Sequence, residues 1–217
     1  MSLVIGIDGP AGSGKGTITK IIAEKLGLVN IDTGAMYRCV ALASLRAGLN
    51  VEDKDEIIRL AKSIKITFDK DGKTFLDGED VSSLIREKDV SSIVSPISSI
   101  VEVREEMVKQ QRELAKGLDV IMEGRDITTV VFPDANYKFY LDASVEERAR
   151  RRYKQNQESG IDMSYEEILE NIKSRDYNDM HKEVGSLMRT DDQIYIDSTD
   201  LSIDEVAEEI LKHIKER

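Results

Sequence analysis

Lys15 stands near the end of Gly9-Pro10-Ala11-Gly12-Ser13-Gly14-Lys15-Gly16-Thr17, where a full cation is set among closely spaced glycines. Residue types in this spacing handle phosphate. Glycines let a loop turn tightly enough for successive backbone N–H groups to point inward, and a following helix adds the partial positive charge of its N-terminus. The general pattern is G-x-x-x-x-G-K-[ST]; here Gly16 takes the hydroxyl position and Thr17 follows one residue later. A second set of cations, Arg38, Arg104, Arg125, Arg175 and a basic island from Arg148 to Lys154, is available for a second anion. Arg38 and Arg125 each follow the end of an apolar run, the place from which a side chain reaches a ligand crevice in a parallel sheet.

The elements that must position these groups are legible from periodicity. Leu3 to Asp8 reads as a buried strand, and Ile18, Ile21, Ile22 and Leu26 line one face of a helix that Gly27 stops. Leu28 to Ile31 is a second strand, ending at Asp32-Thr33-Gly34, and a helix starts near Thr33 with Ala35, Met36, Val40 and Ala43 toward the core. Strand, helix, strand implies a parallel pair with a right-handed crossover. Between Val51 and Arg86 the character changes. A short helix, Glu56 to Ser63, precedes the alternating Ile64, Ile66 and Phe68; Asp71-Gly72 marks a hairpin turn and Thr74 to Leu76 the return strand. Val90 to Ser99 reads as a polar, Ser-rich segment, followed by a long helix from Val101 to Lys116.

Val120 to Met122, Tyr137 to Leu141 and Gln193 to Ile196 complete five parallel strands, and S-x-x-E capping boxes at Ser144, Ser164 and Ser202 open three helices. The expected architecture is a three-layer α/β fold, with a small inserted antiparallel β unit and a helical lid. Its core covers about 1–32, 117–149 and 190–217. An acceptor-binding region with the β insert covers about 33–110, and the lid about 150–182.

Composition narrows the function classes. The chain has 217 residues, 40% of them hydrophobic, and a net charge of −11. That is enough for one principal core, and too acidic for a sequence-independent binder of nucleic-acid polymers, which needs a basic surface. The single cysteine, Cys39, allows no intramolecular disulfide, fits a reducing compartment and reads as a small apolar helix residue. Apolar runs are too short to span a membrane. A cytoplasmic monomer is expected.

The Gly-Lys-Gly-Thr form of the loop resembles that of nucleoside monophosphate kinases. Together with Asp32-Thr33-Gly34-Ala35-Met36-Tyr37-Arg38, Glu123-Gly124-Arg125-Asp126, Val130-Val131-Phe132-Pro133-Asp134-Ala135 and Asp197-Ser198-Thr199-Asp200-Leu201-Ser202, it closely resembles the bacterial cytidylate kinase family over essentially the whole chain. The resemblance implies a P-loop kinase fold and phosphoryl transfer from ATP to CMP or dCMP. It implies that Gly9 to Thr17 hold ATP, with Arg148 and Arg152 covering it as part of the lid. Thr33, Tyr37, Arg38 and Arg125 would hold the acceptor phosphate or its surroundings, and Ser95, Arg104 and Asp126 would recognise cytosine. Arg175 and Asp179 would reach the acceptor ribose and phosphate, and Lys15, Arg125 and Arg175 would act in catalysis. Lys182 stands where the family has an arginine against the acceptor base, and a lysine cannot reproduce a planar bidentate fork.

The chemistry fits that implication. A monophosphate acceptor is already anionic, so no catalytic base is required; transfer between two polyanions needs cations and in-line alignment. A carboxylate and a hydroxyl can accept the exocyclic amine protons of cytosine, whereas uracil would leave them unpaired. Magnesium is implied with ATP, and Thr17 is the nearest candidate ligand, directly or through water; Asp8 reads either as a support for the metal's ligands or as an anchor for the loop. Competing readings are a kinase for AMP, UMP or shikimate, and a non-catalytic nucleotide switch, against which the chain lacks a guanine-reading N-K-x-D motif. Structural rivals attach to individual residues: Arg125 pairing with Asp126, an intrahelical ladder of Arg175, Asp179 and Lys182, and a solvated face for Arg148 to Lys154 with Glu147 and Arg151 paired at i, i+4.

Overall fold

The computed structural model describes residues 2–69, 72–158 and 160–215. In chain order β1 spans Val4–Asp8, α1 Lys15–Leu26, β2 Val29–Asp32, α2 Thr33–Arg46, α3 Lys54–Ser63, β3 Ile66–Phe68, β4 Thr74–Leu76 and β5 Glu79–Asp80. Then follow α4 Lys88–Ile97, α5 Val101–Leu114, β6 Val120–Gly124, β7 Tyr137–Asp142, α6 Val145–Glu158, α7 Tyr165–Met180, β8 Ile194–Asp197 and α8 Ile203–Lys215. A 3-10 turn covers Leu84–Arg86 and a π-helical turn Ile127–Val131.

The five apolar runs form one parallel sheet in the order β2-β6-β1-β7-β8. Both faces are covered, which is why the strands read as nearly continuous apolar runs. On one face α1 and α8 bring Ile18, Ile22, Val206 and Ile210 onto Ile7 and Phe139. On the other, Ile31, Val120 and Met122 pack against Ala115 and the turn residues Ile127 and Val131. The strands end in register, with Asp8 opposite Gly124 and Asp32 opposite Glu123. After β1 the chain crosses to β2 on one side, while β7 and β8 lie on the other, so β1 sits at the topological switch point and its C-terminal end opens onto the crevice.

Local signals place the ends. Gly14 and Gly27 bracket α1 in the left-handed region, and the Gly27 N–H donates to Ala23. Ser164 and Ser202 form complete capping boxes with Glu167 and Glu205. At Ser144 only half the box forms, because Glu147 turns its carboxylate to Arg150 and Arg151.

Two expectations need correction. The Ser-rich segment from Val90 to Ser99 is not an irregular stretch but mostly helix, α4, since Val90, Ile93, Val94 and Ile97 fall at i, i+3, i+4 and i+7 and their apolar stripe outweighs the serine content. The β insert has three strands, β3-β4-β5, rather than two. Asp71, half of the expected hairpin turn, lies outside the described residues; the turn closes through Asp69 N–H to the Lys73 carbonyl.

Helices α2 to α5 and the β insert share their own apolar cluster, including Met36, Val40, Ile57, Leu76, Val103 and Met107. Cys39 is buried within it as an apolar residue, and burial pushes its thiol up to about 12. The pair α6 and α7 is held by a much smaller cluster around Ala149, Ile168 and Ile172. Among the described residues no helix is long and apolar enough to cross a membrane.

Candidate active site

The glycine loop closes around its own lysine. Lys15 Nζ donates to the carbonyls of Gly9 at 2.8 Å and Pro10 at 2.7 Å and to Ser13 Oγ at 3.3 Å, and only 5% of the residue is exposed. Burial lowers its pKa, and Arg125 lowers it further, against the opposing charges of Glu123, Asp8 and Asp179. The first amides of α1 have no intrahelical acceptor, so the loop and the helix start together can accept an anion.

Asp8 settles as a loop anchor. Fully buried, its carboxylate accepts from Ile127 N–H at 2.7 Å, Thr128 N–H at 2.9 Å, Thr128 Oγ1 at 2.6 Å and Gln193 Nε2 at 3.3 Å. Burial nonetheless raises its pKa, the hydrogen bonds from Thr128 and Ile127 opposing. These bonds tie the end of β1 to the chain following β6, which carries Arg125 and Asp126.

Arg125 and Asp126 do not pair with each other. Arg125 Nε donates to Asp179 Oδ2 at 2.8 Å, and Asp126 forms a buried ion pair with Arg104, their side chains 7% and 5% exposed. Arg104 also donates to the Ser98 carbonyl at 3.1 Å and lies over the Tyr37 ring, 5.4 Å from its centroid. Burial pushes the Tyr37 hydroxyl up, keeping it neutral. Lys182 Nζ bonds Asp179 Oδ1 at 2.9 Å and Ser98 Oγ at 3.1 Å. Only part of the expected α7 ladder therefore forms, since Asp179 turns to Lys182 and across to Arg125. Burial works against the Asp179 carboxylate, but Arg125 and Lys182 hold it down to about 2.

Arg38 reaches across to α4 and the 3-10 turn, donating to Ser91 Oγ at 2.8 Å and the Ile85 carbonyl at 3.1 Å. Its pKa falls to about 10, through burial first and then through the charge of Arg175, with Arg86 and Arg152 adding to the effect against Asp32. Arg175, at the crevice mouth, has no hydrogen bond or ion pair among the described residues; desolvation and then Arg125 lower its pKa. The charges of Arg86, Arg152 and Arg175 are thus all felt at Arg38, and that of Arg125 at Arg175, a set of like charges that an anion would relieve. Thr33 is buried, with its hydroxyl donating to the Glu123 carbonyl at 2.7 Å. Ser95 stands on α4, half-buried; its carbonyl accepts from the Ser98 and Ser99 hydroxyls, and its side chain does not join Arg104 or Asp126.

The basic island divides by burial. Arg148 is 3% exposed and donates to the carbonyls of Ala11 and Ala143, both at 3.0 Å, and to Asp176 at 2.6 Å. It fastens α6 and α7 to the back of the glycine loop. Arg151 pairs with Glu147 at i, i+4 and donates to the Ser198 carbonyl at 2.6 Å, whereas Arg152 is exposed and bonds Gln155.

Three groups went unread in the sequence. Glu123 ends β6 beside the loop, and burial, together with the nearby Asp32 charge, raises its pKa against the pull of Lys15 and Arg125. A Cβ placed on Gly16 would come within 3.0 Å of Glu123 Oε1, so the glycine at the usual hydroxyl position leaves room for this carboxylate. An acid at the C-terminal end of the strand next to the loop strand was the available signal. Arg86, on the 3-10 turn, lies 3.9 Å from Asp32. Gly185 sits against Arg104 and Asp126, as developed below. Thr17 is exposed with its hydroxyl unpartnered among the described residues, and Glu123 and Asp32 stand opposite each other on adjacent strand ends, oxygen donors of the kind magnesium takes; among the described residues no group of three or more His, Cys, Asp or Glu could hold a metal ion.

A family model described as cytidylate kinase matches residues 5–216. The chain belongs to the cytidylate kinase family. Similar curated cytidylate kinases include that of Caldanaerobacter subterraneus subsp. tengcongensis, 48% identical over 215 residues, covering 99% of this chain and 96% of that one. That of Bacillus subtilis is 45% identical over 218 residues, covering 99% and 97%, and that of Vibrio cholerae 42% over 217 residues, covering 99% and 96%. Among solved structures, a shikimate kinase from Bacteroides thetaiotaomicron aligns over 98% of both chains with a TM-score of 0.52 at 13% identity, a likeness of fold. The parallel sheet with its covering helices is thus a fold that this chain shares with that shikimate kinase.

Proposed function

We propose that this member of the cytidylate kinase family transfers the γ-phosphoryl group of ATP to CMP, and to dCMP, giving CDP or dCDP and ADP. The observation that carries the reading is the crevice itself. Lys15 sits in the amide-rich loop, Arg175 bears electrostatically on Arg38 and Arg125 on Arg175, and Arg104 and Asp126 form a buried pair. On this reading Gly9 to Thr17 seat the donor phosphates, with the exposed Arg152 leaving Gln155 to cover them and Arg148 holding the loop from behind. Thr33, Tyr37, Arg38, Arg125, Arg175 and Asp179 surround the acceptor phosphate and ribose. Arg104 and Asp126, with Ser95 and Lys182 at the margin, read the base.

No side chain has to take a proton, since the acceptor oxygen is ionised at neutral pH. Lys15, Arg125 and Arg175 instead offset the charge that accumulates on the transferring group and hold donor and acceptor in line. Thr17, with Glu123 and Asp32 behind it, would hold magnesium, which supplies charge neutralisation on the donor phosphates when bound. Closure of the segment around 150–182 would exclude water from ATP. The acceptor-binding unit of about 33–110 and the core of about 1–32, 117–149 and 190–217 would be the bodies against which it moves. A cytoplasmic monomer completes the reading.

A coupled ADP-release assay with ATP and magnesium against CMP, dCMP, UMP, AMP and shikimate tests it. CMP and dCMP should exceed the others by at least about tenfold in kcat/KM, the order of discrimination expected when a polar pocket meets the wrong hydrogen-bond pattern. Preference for UMP, AMP or shikimate would refute the acceptor assignment.

A further inference from the structure

The pair assigned above to reading the base is closed off by the chain that follows α7. Gly185 has a φ of 66°, in the left-handed region, and a Cβ placed on it would collide with the Arg104 guanidinium and the Asp126 carboxylate. Only backbone can lie there. The segment is pinned at two points: Lys182 Nζ bonds Ser98 Oγ at 3.1 Å and Asp179 Oδ1 at 2.9 Å, and the N–H of the buried Leu187 donates to the Asp179 carbonyl at 2.7 Å. Between these pins residues 183–186 make no hydrogen bond among the described residues, and Val184 is 37% exposed. Beneath them Arg104 Nε is buried without a partner.

A buried ion pair and an orphaned donor covered by backbone that forms no bonds of its own is a poor structural core. An unpaired buried donor costs stability, and a covering loop without hydrogen bonds adds little back. It is a good recognition surface. We propose that Gly185 and the chain from 181 to 187 form a displaceable wall of the acceptor-base subsite, held shut by the Lys182–Ser98 contact, and that an entering pyrimidine base takes the volume Gly185 occupies beside Asp126. This makes Gly185 and Ser98 further acceptor-site residues. It rests on the acceptor reading above. With the wall shut, a side chain at 185 would disturb the reading pair, so the position needs glycine for contact as well as for its backbone angle.

Two measurements test the wall. A Val184→Cys, Leu118→Cys protein carries two exposed labelling positions, and the buried Cys39 stays unlabelled. The distance distribution between spin labels should shift when saturating CMP is added, and stay unchanged with ATP alone. Separately, wild-type CMP association should approach a concentration-independent ceiling set by opening. Ser98→Ala, which removes one hydrogen bond to a charged group, should raise that ceiling by roughly tenfold to 150-fold. Calorimetry run in parallel separates the two ways of failing. Saturable CMP binding with an unchanged distance distribution, or with a Ser98→Ala rate equal to wild type, overturns the wall and leaves the acceptor reading standing. Absence of saturable CMP binding removes the acceptor reading and the wall with it.

Discussion

Asp126→Ala strips the carboxylate from an ion pair whose side chains are 7% and 5% exposed and leaves the Arg104 charge, among the described residues, with only the Ser98 carbonyl as a hydrogen-bond acceptor. Breaking a buried pair from one side costs about 3–5 kcal/mol. For a domain of this size each kcal/mol moves Tm by about 2–4 °C, so the variant should melt roughly 6–20 °C lower. If Asp126 also accepts the cytosine amine, the lost charge-assisted bond of about 1.5–3 kcal/mol raises the CMP KM by roughly tenfold to 150-fold. Turnover at saturating CMP should stay within about threefold, because Lys15, Arg125 and Arg175 are untouched. Lost stability and lost recognition have to be told apart, and a double variant does this. Arg104→Met with Asp126→Leu replaces the pair with apolar groups of similar size, which is commonly neutral or stabilising. Its Tm should return to near wild type while its CMP KM remains high. The assay is ADP release at saturating ATP with CMP varied, run below the lowest Tm of the set. A double variant with wild-type CMP KM would show that the pair is only a structural bridge and that the base is read elsewhere.

Asp8→Asn replaces one acceptor oxygen with a donor that faces Thr128, stranding a buried N–H or O–H; a loss of about 1–3 kcal/mol should appear as a lower urea midpoint, with kcat/KM falling because the loop bearing Arg125 loosens. An unchanged midpoint would remove Asp8 as the anchor. Asp179 is held at about 2 against an ordinary value of 3.8. A carboxyl depressed on folding stabilises above its unfolded pKa and loses that contribution as pH falls through its folded one. Roughly 2 kcal/mol should therefore disappear between pH 4 and about pH 2, and Asp179→Asn should flatten that part of a urea-midpoint profile. Glu123→Gln should raise the magnesium concentration for half-maximal activity by about tenfold with the CMP KM unchanged, read from metal titrations and from magnesium-dependent binding of an ATP analogue. Equal metal dependence in both proteins would place the ion's support elsewhere.

The framework of this molecule was readable residue by residue. Strand periods, the Gly27 stop, the capping serines and the glycine loop are local signals, each decided within a few positions, and the sheet and its helices follow them. Val90 to Ser99 was the exception, because its serine content read as a polar segment while the spacing of four apolar residues built a helix. The identity of the charged groups was also plain, and the Arg175 charge is felt at Arg38 and that of Arg125 at Arg175.

Their partners were not plain. Arg125 and Asp126 are neighbours in the chain, yet one pairs with a residue 54 positions away and the other with one 22 positions away. Arg148 and Arg152 lie a helical turn apart, but packing on the glycine loop buries the first and leaves the second exposed. Asp8 became an anchor, Gly16 a space for Glu123, and Gly185 a wall against Arg104 only once the crossovers had set the strand ends side by side. Periodicity and turn chemistry act over a few residues and are written in the sequence. Which charge meets which depends on how distant segments pack, and on how far each pair is taken out of water, and that is settled only by the tertiary structure.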